Sequence, residues 1–549
     1  MRRKFLTDSD LSKKVRPPMT LSANVRSAQK KLKKPPYPGV VGAAFWSLAE
    51  LRMRSWDRAL VHLEETQLEM MRLVAAANGP SEYGRKHGLD RTYSYEQWKR
   101  NVPLADYDSY FPYIERMMLG EHDVLVKGGV TYFGNSSGSS TGGRSKFLPI
   151  TLQQIELTKK ASADAAQRYV VAHRDLAFTS GYQIAILPPP NFKHQGPVIV
   201  SNNPAIMSVH MPLIAQPLQL PRGPIKLEPD INTKLEKIAA EYFDYDICGI
   251  AGTTCWFSLL FDKVLAEAKK RGLPGNTVQE VWPNLRVGFG GGVAAGPYIG
   301  VIRERIGNPN FRLVDTYNAT EGGLYACTDF TGEPGMRMIP DRGVFFEFVK
   351  LEDYGTTDSP RRYALHEVEQ NQNYVLYVST VSGLSAYRLG DIVRFPTLWP
   401  HRMEFAGRLS GCLSTTQELT THVEIQEAFE YALKKFPRTT RDYTCGADVG
   451  VNGTAKSQYN LFAEFEDDVP DFPVEAFAEA FDEGLCKVNR VYREHRINDA
   501  AILRARFTPM PKGTIQRFMG EGALNNVQAK FPRILSDAQK DRLRQLIGN

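Results

Sequence analysis

The stretch Gly134-Asn-Ser-Ser-Gly-Ser-Ser-Thr-Gly-Gly-Arg-Ser-Lys146 constrains this chain more than any other. Four glycines, a run of serine and threonine hydroxyls and a closing lysine make a loop that can wrap a polyphosphate. Glycine lets backbone N–H groups turn toward anionic oxygens, the hydroxyls add donors, and the lysine adds a point charge. Val124–Lys127, Val130–Phe133 and Phe147–Thr151 read as short strands around it, so the loop joins strands and does not open a helix. It is not the G-x-x-x-x-G-K-[ST] loop, because Arg144 and Ser145 separate Gly142-Gly143 from Lys146. A Gly/Ser-rich stretch is also what a flexible linker looks like, and only the flanking apolar strands argue against that.

A chain of 549 residues has room for two or more domains and a large core. With 42% hydrophobic and 23% charged residues it reads as a soluble globular protein. No apolar run approaches the ~18 residues of a membrane span. Six cysteines without a C-x-x-C pair fit reduced thiols in a cytoplasmic protein. The net charge of +7 is concentrated at one end: residues 1–40 hold eleven Lys/Arg against two Asp, which leaves the rest at −2. That leader reads as a disordered, solvated segment able to touch an acidic partner. It lacks the interleaved aromatics of a nucleic-acid module, and none is expected to bind.

Helical spacing is expected over 45–78, 150–170 and 257–271, with mixed helix and proline signals over 95–120. Short strands at 184–187, 198–200, 285–287 and 312–314 alternate with them, an α/β pattern. Strands at 343–350, 374–380 and 391–395 form a β-rich run. From 409 onward, helices at 421–435 and 473–488, a strand at 459–466 and an apolar run at 501–507 suggest a small α+β domain. The expected division is a leader 1–40, a large domain 41–408 with mixed sheets, and a small mobile domain 409–549.

Two further segments carry chemistry. Asp315-Thr-Tyr-Asn-Ala-Thr-Glu-Gly-Gly323 places an aromatic, a hydroxyl and a carboxylate at Tyr317, Thr320 and Glu321. Tyrosine stacks on a base, threonine donates to phosphate, and a carboxylate can hold Mg²⁺; a strand-to-turn corner with a buried Tyr and a surface Glu would read the same. Ser385-Ala-Tyr-Arg-Leu-Gly-Asp391 puts a carboxylate at a strand mouth, able to accept from two ribose hydroxyls or to pair with Arg388. Gly288-Phe-Gly-Gly-Gly-Val-Ala-Ala-Gly296 misses the dinucleotide fingerprint at Val293, although a turn at Gly291 and Gly292 lets backbone approach a flat ring.

In this order, phosphate loop, Tyr…Thr-Glu and Tyr-Arg-x-Gly-Asp, the chain resembles the plant auxin-responsive acyl-acid amido synthetases and their bacterial relatives. These belong with the luciferases and acyl-CoA ligases among adenylate-forming enzymes. Ser136–Gly142 with Lys146 matches the family's first motif, Tyr317–Glu321 its second and Tyr387–Asp391 its third. Asn101-Val-Pro, Pro112-Tyr-Ile-Glu-Arg-Met, Val281-Trp-Pro-Asn, Phe346-Glu-Phe, Gly513-Thr514 and Gln528–Arg533 match as well, so the likeness spans about 60–535. The first motif carries one extra residue before Lys146, Phe405-Ala-Gly-Arg408 is nearer the hinge of the wider group, and the leader has no counterpart.

The resemblance implies an ATP- and Mg²⁺-dependent ligase. A carboxylic acid would be activated as acyl-AMP, and an amine or amino acid would then displace AMP to give an amide. By the same resemblance Ser136, Ser137, Gly138, Ser139, Ser140, Thr141 and Gly142 hold phosphates, and Lys146 is the nearby cation. Tyr317 faces adenine, Thr320 the α-phosphate, Glu321 the metal and Asp391 the ribose, while Gly291 and Gly292 lie against the nucleotide and acyl group. Arg408 marks the hinge, and Lys530 swings in from the C-terminal domain. Trp256 and Phe257, in an apolar, glycine-containing stretch, line an acyl slot or pack in the core. His210 and His422 are the histidines to watch as a base, each also readable as structural. Two other functions stay open on the residues: transfer to a thiol of CoA or a carrier protein, and a non-catalytic nucleotide-binding scaffold.

Overall fold

The computed structural model describes residues 32–35, 37, 39–92, 94–136, 146–291, 296–355, 357, 359–413, 415, 420–449, 451, 456–467, 471–489, 492–493, 496, 502–520 and 531–548. The body is a twelve-stranded sheet with two characters. Arg312–Ala319, Val287–Gly291, Ile247–Thr253, Tyr182–Ile186 and Gln219–Leu220 run parallel in that order across it. From Gly323–Cys327 through Met336–Met338, His401–Arg408, Tyr387–Leu398, Asn373–Thr380 and Val344–Lys350 to Tyr363–Ala364 every pairing is antiparallel.

The parallel half is covered by Ile231–Glu241, Thr254–Lys270 and Gly296–Ile306, whose apolar faces form one core around Trp282, Phe257 and Leu260. The antiparallel half and Gly323–Cys327 pack against Gly39–Val61, Leu63–Asn78 and Leu152–His173 in a second core. A separate four-stranded sheet holds Tyr132–Ser136 between Lys146–Ile150 and Val198–Ser201. Its first two strands pair antiparallel from Tyr132↔Ile150 to Ser136↔Lys146, which pins both ends of the glycine-rich loop at one spot.

The C-terminal part has its own sheet, Thr440–Val449, Ser457–Phe465 and Ile502–Met510, and its own core against His422–Lys435 and Val474–Val488. Most expected elements form, with four differences. The single helix expected over 45–78 is two, Gly39–Val61 and Leu63–Asn78, broken at His62. Val124–Lys127 is a bend whose Val124, Leu125 and Val126 are buried by neighbours, with no ladder partner. The strand expected over 285–287 begins only at Val287. Thr440–Val449, which sequence periodicity did not mark, is a full strand. Five described cysteines are free thiols, and no described helix is long and apolar enough to cross a membrane.

Candidate active site

Asp391 and Tyr317 stand four strands apart in the sheet order, about 19 Å at ordinary strand spacing. Tyr317 Oη nevertheless donates to Asp391 Oδ2 at 2.6 Å. The sheet therefore bends over on itself, and of the strands between them Met336–Met338 is the shortest, at three residues. Phe405 fills the fold, its ring 6.2 Å from that of Tyr317. The bend turns two sequence motifs into one site.

Asp391 lies inside the strand Tyr387–Leu398, not at the strand mouth that its preceding glycine suggested. Against Asn373–Thr380 the register jumps from Tyr377↔Arg388 to Val375↔Ile392, so Leu389, Gly390 and Asp391 together oppose Leu376. Gly390 has φ +89°, which a side chain would strain. A bulge of this kind re-aims a side chain, and here it aims Asp391 at Tyr317 and Arg408. Arg408 Nε meets Asp391 Oδ1 at 3.0 Å across the Asp391↔Arg408 pair. Arg388 takes no part: it pairs with Asp106 at 3.0 Å and with the Tyr354 hydroxyl.

Burial pushes the Asp391 carboxyl above its usual range, opposed by Arg408 and the Tyr317 hydroxyl. Glu321, next to the end of Arg312–Ala319, is also buried, and burial pushes it up to about 7 against the pull of Lys146. Lys146 is 6% exposed, lies 3.4 Å from Tyr387 Oη and sits over the rings of Tyr107 and Tyr387. Burial lowers its pKa while Glu321 raises it. The Tyr325 hydroxyl, buried beside Glu321 and Asp391, has no hydrogen-bond partner among the described residues. A buried cluster of this composition, in which Arg408 pairs with Asp391 while Lys146 and Glu321 act on each other only at longer range, suits an anionic, polyhydroxylated ligand.

Close packing fixes the phosphate-loop entrance. A Cβ on Gly134 would come within 2.5 Å of Thr320 Cγ2, so glycine is what lets the strand pass Thr320. Thr320 is half-buried at the end of its strand, and Gly291 ends Val287–Gly291 beside it, paired with Thr316. Ligands of parallel sheets bind outside the carboxyl ends of the strands. Lys146, Gly291, Tyr317, Thr320, Glu321, Asp391 and Arg408 are thus brought to one edge. Ser137, Gly138, Ser139, Ser140, Thr141, Gly142, Gly292 and Lys530, and the side chain of Ser136, lie outside the described residues.

Trp256 and Phe257 belong to the core beneath the parallel strands, 5% and 0% exposed, with Phe257 against Gly288. His422 is half-buried against Phe405, and desolvation with Arg533 and Arg408 nearby lowers it to about 4, so it is neutral. His210 stands edge-on to Tyr132, its Nε2 buried without a partner among the described residues. For Mg²⁺ the fit is Glu321 as one carboxylate completed by phosphate oxygens; among the described residues no cluster of three His, Cys, Asp or Glu could hold a metal by itself.

Residues 52–192, 337–408 and 423–539 match, in order, the N-terminal, central and C-terminal domains of the GH3 family. The chain belongs to the GH3 family. Jasmonoyl--L-amino acid synthetase GH3.5 of Oryza sativa subsp. japonica is 23% identical over 92% of this chain and 97% of that protein. Indole-3-acetic acid-amido synthetase GH3.8 of Oryza sativa subsp. indica is 22% identical over 88% and 90%. Among solved structures, the acyl acid amido synthetase AtGH3.15 in complex with 2,4-DB superposes with a TM-score of 0.69 at 18% identity, covering 93% and 97% of the two chains. A 2-hydroxyisobutyryl-CoA ligase carrying its acyl-AMP superposes at 0.56 and 13% identity, over 89% and 93%. The GH3 fold is thus shared with adenylate-forming ligases, as the α/β expectation had it.

Sequence reasoning missed the partner of Asp391, the place of Tyr387 beside Lys146, and Tyr325. The Asp391–Arg408 pair depends on register across a bulge, which no spacing reports. Tyr325 carried no signal beyond following Gly322-Gly323.

Proposed function

We propose that this chain is an ATP-dependent acyl acid amido synthetase, joining a carboxylic acid to an amine or amino acid through an acyl-AMP. The observation that carries this reading is the convergence of Lys146, Glu321 and the Tyr317–Asp391–Arg408 cluster at one strand edge, in a chain whose GH3 relatives bear the names of amido synthetases.

A carboxylate and an amine do not condense at neutral pH because hydroxide leaves poorly. In the first step a carboxylate oxygen of the acid attacks the α-phosphorus of ATP, and the bond to pyrophosphate breaks. In the second the neutral amine attacks the acyl carbonyl, the C–O bond to AMP breaks, and the amine proton passes to solvent or base. The chain's share is to hold two anions together and to place cations where charge develops. Lys146 is the buried cation at the loop exit, and residues 136–142 supply backbone and hydroxyl donors to phosphate. Asp391 accepts from ribose hydroxyls on the lone pairs that Tyr317 and Arg408 leave open. The ring of Tyr317 meets adenine while its hydroxyl stays on Asp391. Thr320 lies by the α-phosphate, Arg408 at the hinge, and Lys530 arrives with the C-terminal domain. Mg²⁺, held by Glu321 and phosphate oxygens, would neutralise phosphate charge when bound.

Pyrophosphate release from ATP and Mg²⁺ across a panel of carboxylic acids, with and without pooled amino acids, tests the reading. Acid-dependent release that rises with amines, and an amide product by mass spectrometry, is the expected result. Release that ignores amines and responds to CoA overturns it in favour of thioester formation. ATP binding without release for any acid overturns it in favour of a non-catalytic scaffold.

A further inference from the structure

The strand Tyr182–Ile186 is where the order of the parallel strands reverses: the chain steps outward to Gln219–Leu220, then back across to Ile247–Thr253. Crevices open beyond the carboxyl ends of strands at such reversals. A small cavity of about 20 Å³ lies there, formed where Leu187 and Pro188 leave one strand and Pro221 leaves the other. Lys234, from the helix Ile231–Glu241, and Lys226 both line it.

Lys234 is 2% exposed and donates one hydrogen bond, to the Leu187 carbonyl at 3.0 Å. An ammonium carries three donors, and no described carboxylate stands within ion-pairing distance of it. Glu228, the acid whose field reaches it, is engaged by Lys237 and by the Asp230 backbone N–H. Lys226 adds a second positive charge at the same cavity. Burial and Lys226 both disfavour the charged form of Lys234, with only Glu228 opposing. A buried lysine with spare donors and a like-charged neighbour is costly unless an anion completes it. Leu187, Pro188 and Pro221 help make most of the remaining wall apolar, with Ser208 and Gln219 as its polar members, and the volume admits one small group, not a whole substrate.

We infer that the Lys234–Lys226 cavity is an anion site, which takes the carboxylate of a small organic acid with its apolar body lying along the proline-lined mouth. The site is separate from the ATP cluster: Leu187 lies beyond Ile186, in a row that runs through Thr253 and Gly291 to Thr316, three strands away and so about 14 Å distant. It does not depend on the amide-forming reading, because its readout is binding and not turnover.

The test is calorimetric titration of the full chain with sodium acetate, butyrate and hexanoate, and with phosphate and chloride, at constant ionic strength. Lys234→Met and Lys226→Ala accompany the wild type, with ATP binding as the check that each variant is folded. Expected is saturable carboxylate binding that tightens from acetate to hexanoate, weakens at least about tenfold in Lys234→Met and less in Lys226→Ala, and leaves ATP affinity unchanged. Phosphate binding more tightly than any carboxylate overturns the assignment of ligand. Carboxylate binding equal in wild type and Lys234→Met, or absent from the wild type, overturns the site. Should Lys234→Met fail to fold, wild-type crystals soaked in 4-bromobenzoate, whose aryl bromide does not alkylate, decide: its carboxylate at Lys234 Nζ with anomalous density in the mouth beside it supports the site, and none there overturns it.

Discussion

Glu321 sits where a carboxylate is hard to keep charged, and that gives it a pH signature. Burial raises its pKa to about 7, while a metal–phosphate ligand needs it ionised. Mg·ATP affinity is therefore expected to fall as pH drops through 7 and to level off above 8. Glu321→Gln removes that titration, so its affinity is weaker and flat between pH 6 and 8, as isothermal titration will read. A variant that keeps the wild-type slope removes Glu321 from metal binding. Tyr317→Phe is the companion test. It deletes the hydroxyl that donates to Asp391, costs about 0.5–1.5 kcal/mol of stability, and leaves Asp391 on Arg408 alone. Its carboxyl then rises further, so nucleotide binding weakens most on the acid side. The identities of Tyr317, Glu321 and Asp391 were legible in the motifs. Their mutual contact was not, because it depends on how sharply the sheet bends at the three-residue strand Met336–Met338.

Among the elements, the bulge at Leu389–Asp391 does the aiming. Gly390→Ala forces a side chain into a positive-φ position, at about 1–2 kcal/mol. The chain can relax by regularising the bulge, which would rotate Asp391 away from Tyr317. Acid-dependent pyrophosphate release is then expected to drop at least about tenfold, since 1.4 kcal/mol of lost positioning is that factor, with a fall in thermal midpoint. A loss of stability with unchanged release would separate the bulge from the chemistry. The same element shows where periodicity fails. Tyr387–Leu398 was read only from 391 because Gly390 interrupts the alternation. Thr440–Val449 was overlooked because Arg441, Asp442 and Gly446 break its apolar face. Val124–Lys127, apolar enough for a strand, is a bend because no strand lies beside it to pair. The long helices Leu152–His173 and Thr254–Lys270 were legible because one stripe of each faces a core throughout.

Across the whole molecule, the order of the parts was readable from motif order, and the way they touch was not. Arg394 reaches Glu404 on its own sheet and Glu427 on the helix His422–Lys435, and Glu424 of that helix lies 3.5 Å from Asn373. Glu424 is held by Thr421 and Asn489, yet burial raises it to about 7. Such an acid binds its proton more tightly folded than unfolded, so stability is lost as pH climbs from the unfolded value near 4.5 through 7. His401 and His422, both lowered to about 4 by burial, act in the opposite sense: the unfolded chain binds their protons between 4 and 6.5, so stability rises there. Between pH 4.5 and 6.5 Glu321 and Glu424 act against His401 and His422, so the share of Glu424 is read as a difference from wild type. Glu424→Gln removes one falling contribution and keeps the acceptor that Thr421 uses. Relative to wild type, its unfolding free energy from urea titration should climb between pH 5 and 8, by up to about 3 kcal/mol for a shift of that size. A difference independent of pH would mean that Glu424 is charged throughout, and that Asn373, Thr421 and Asn489 hold a carboxylate, not a neutral acid, at the junction between the sheet and the helix His422–Lys435.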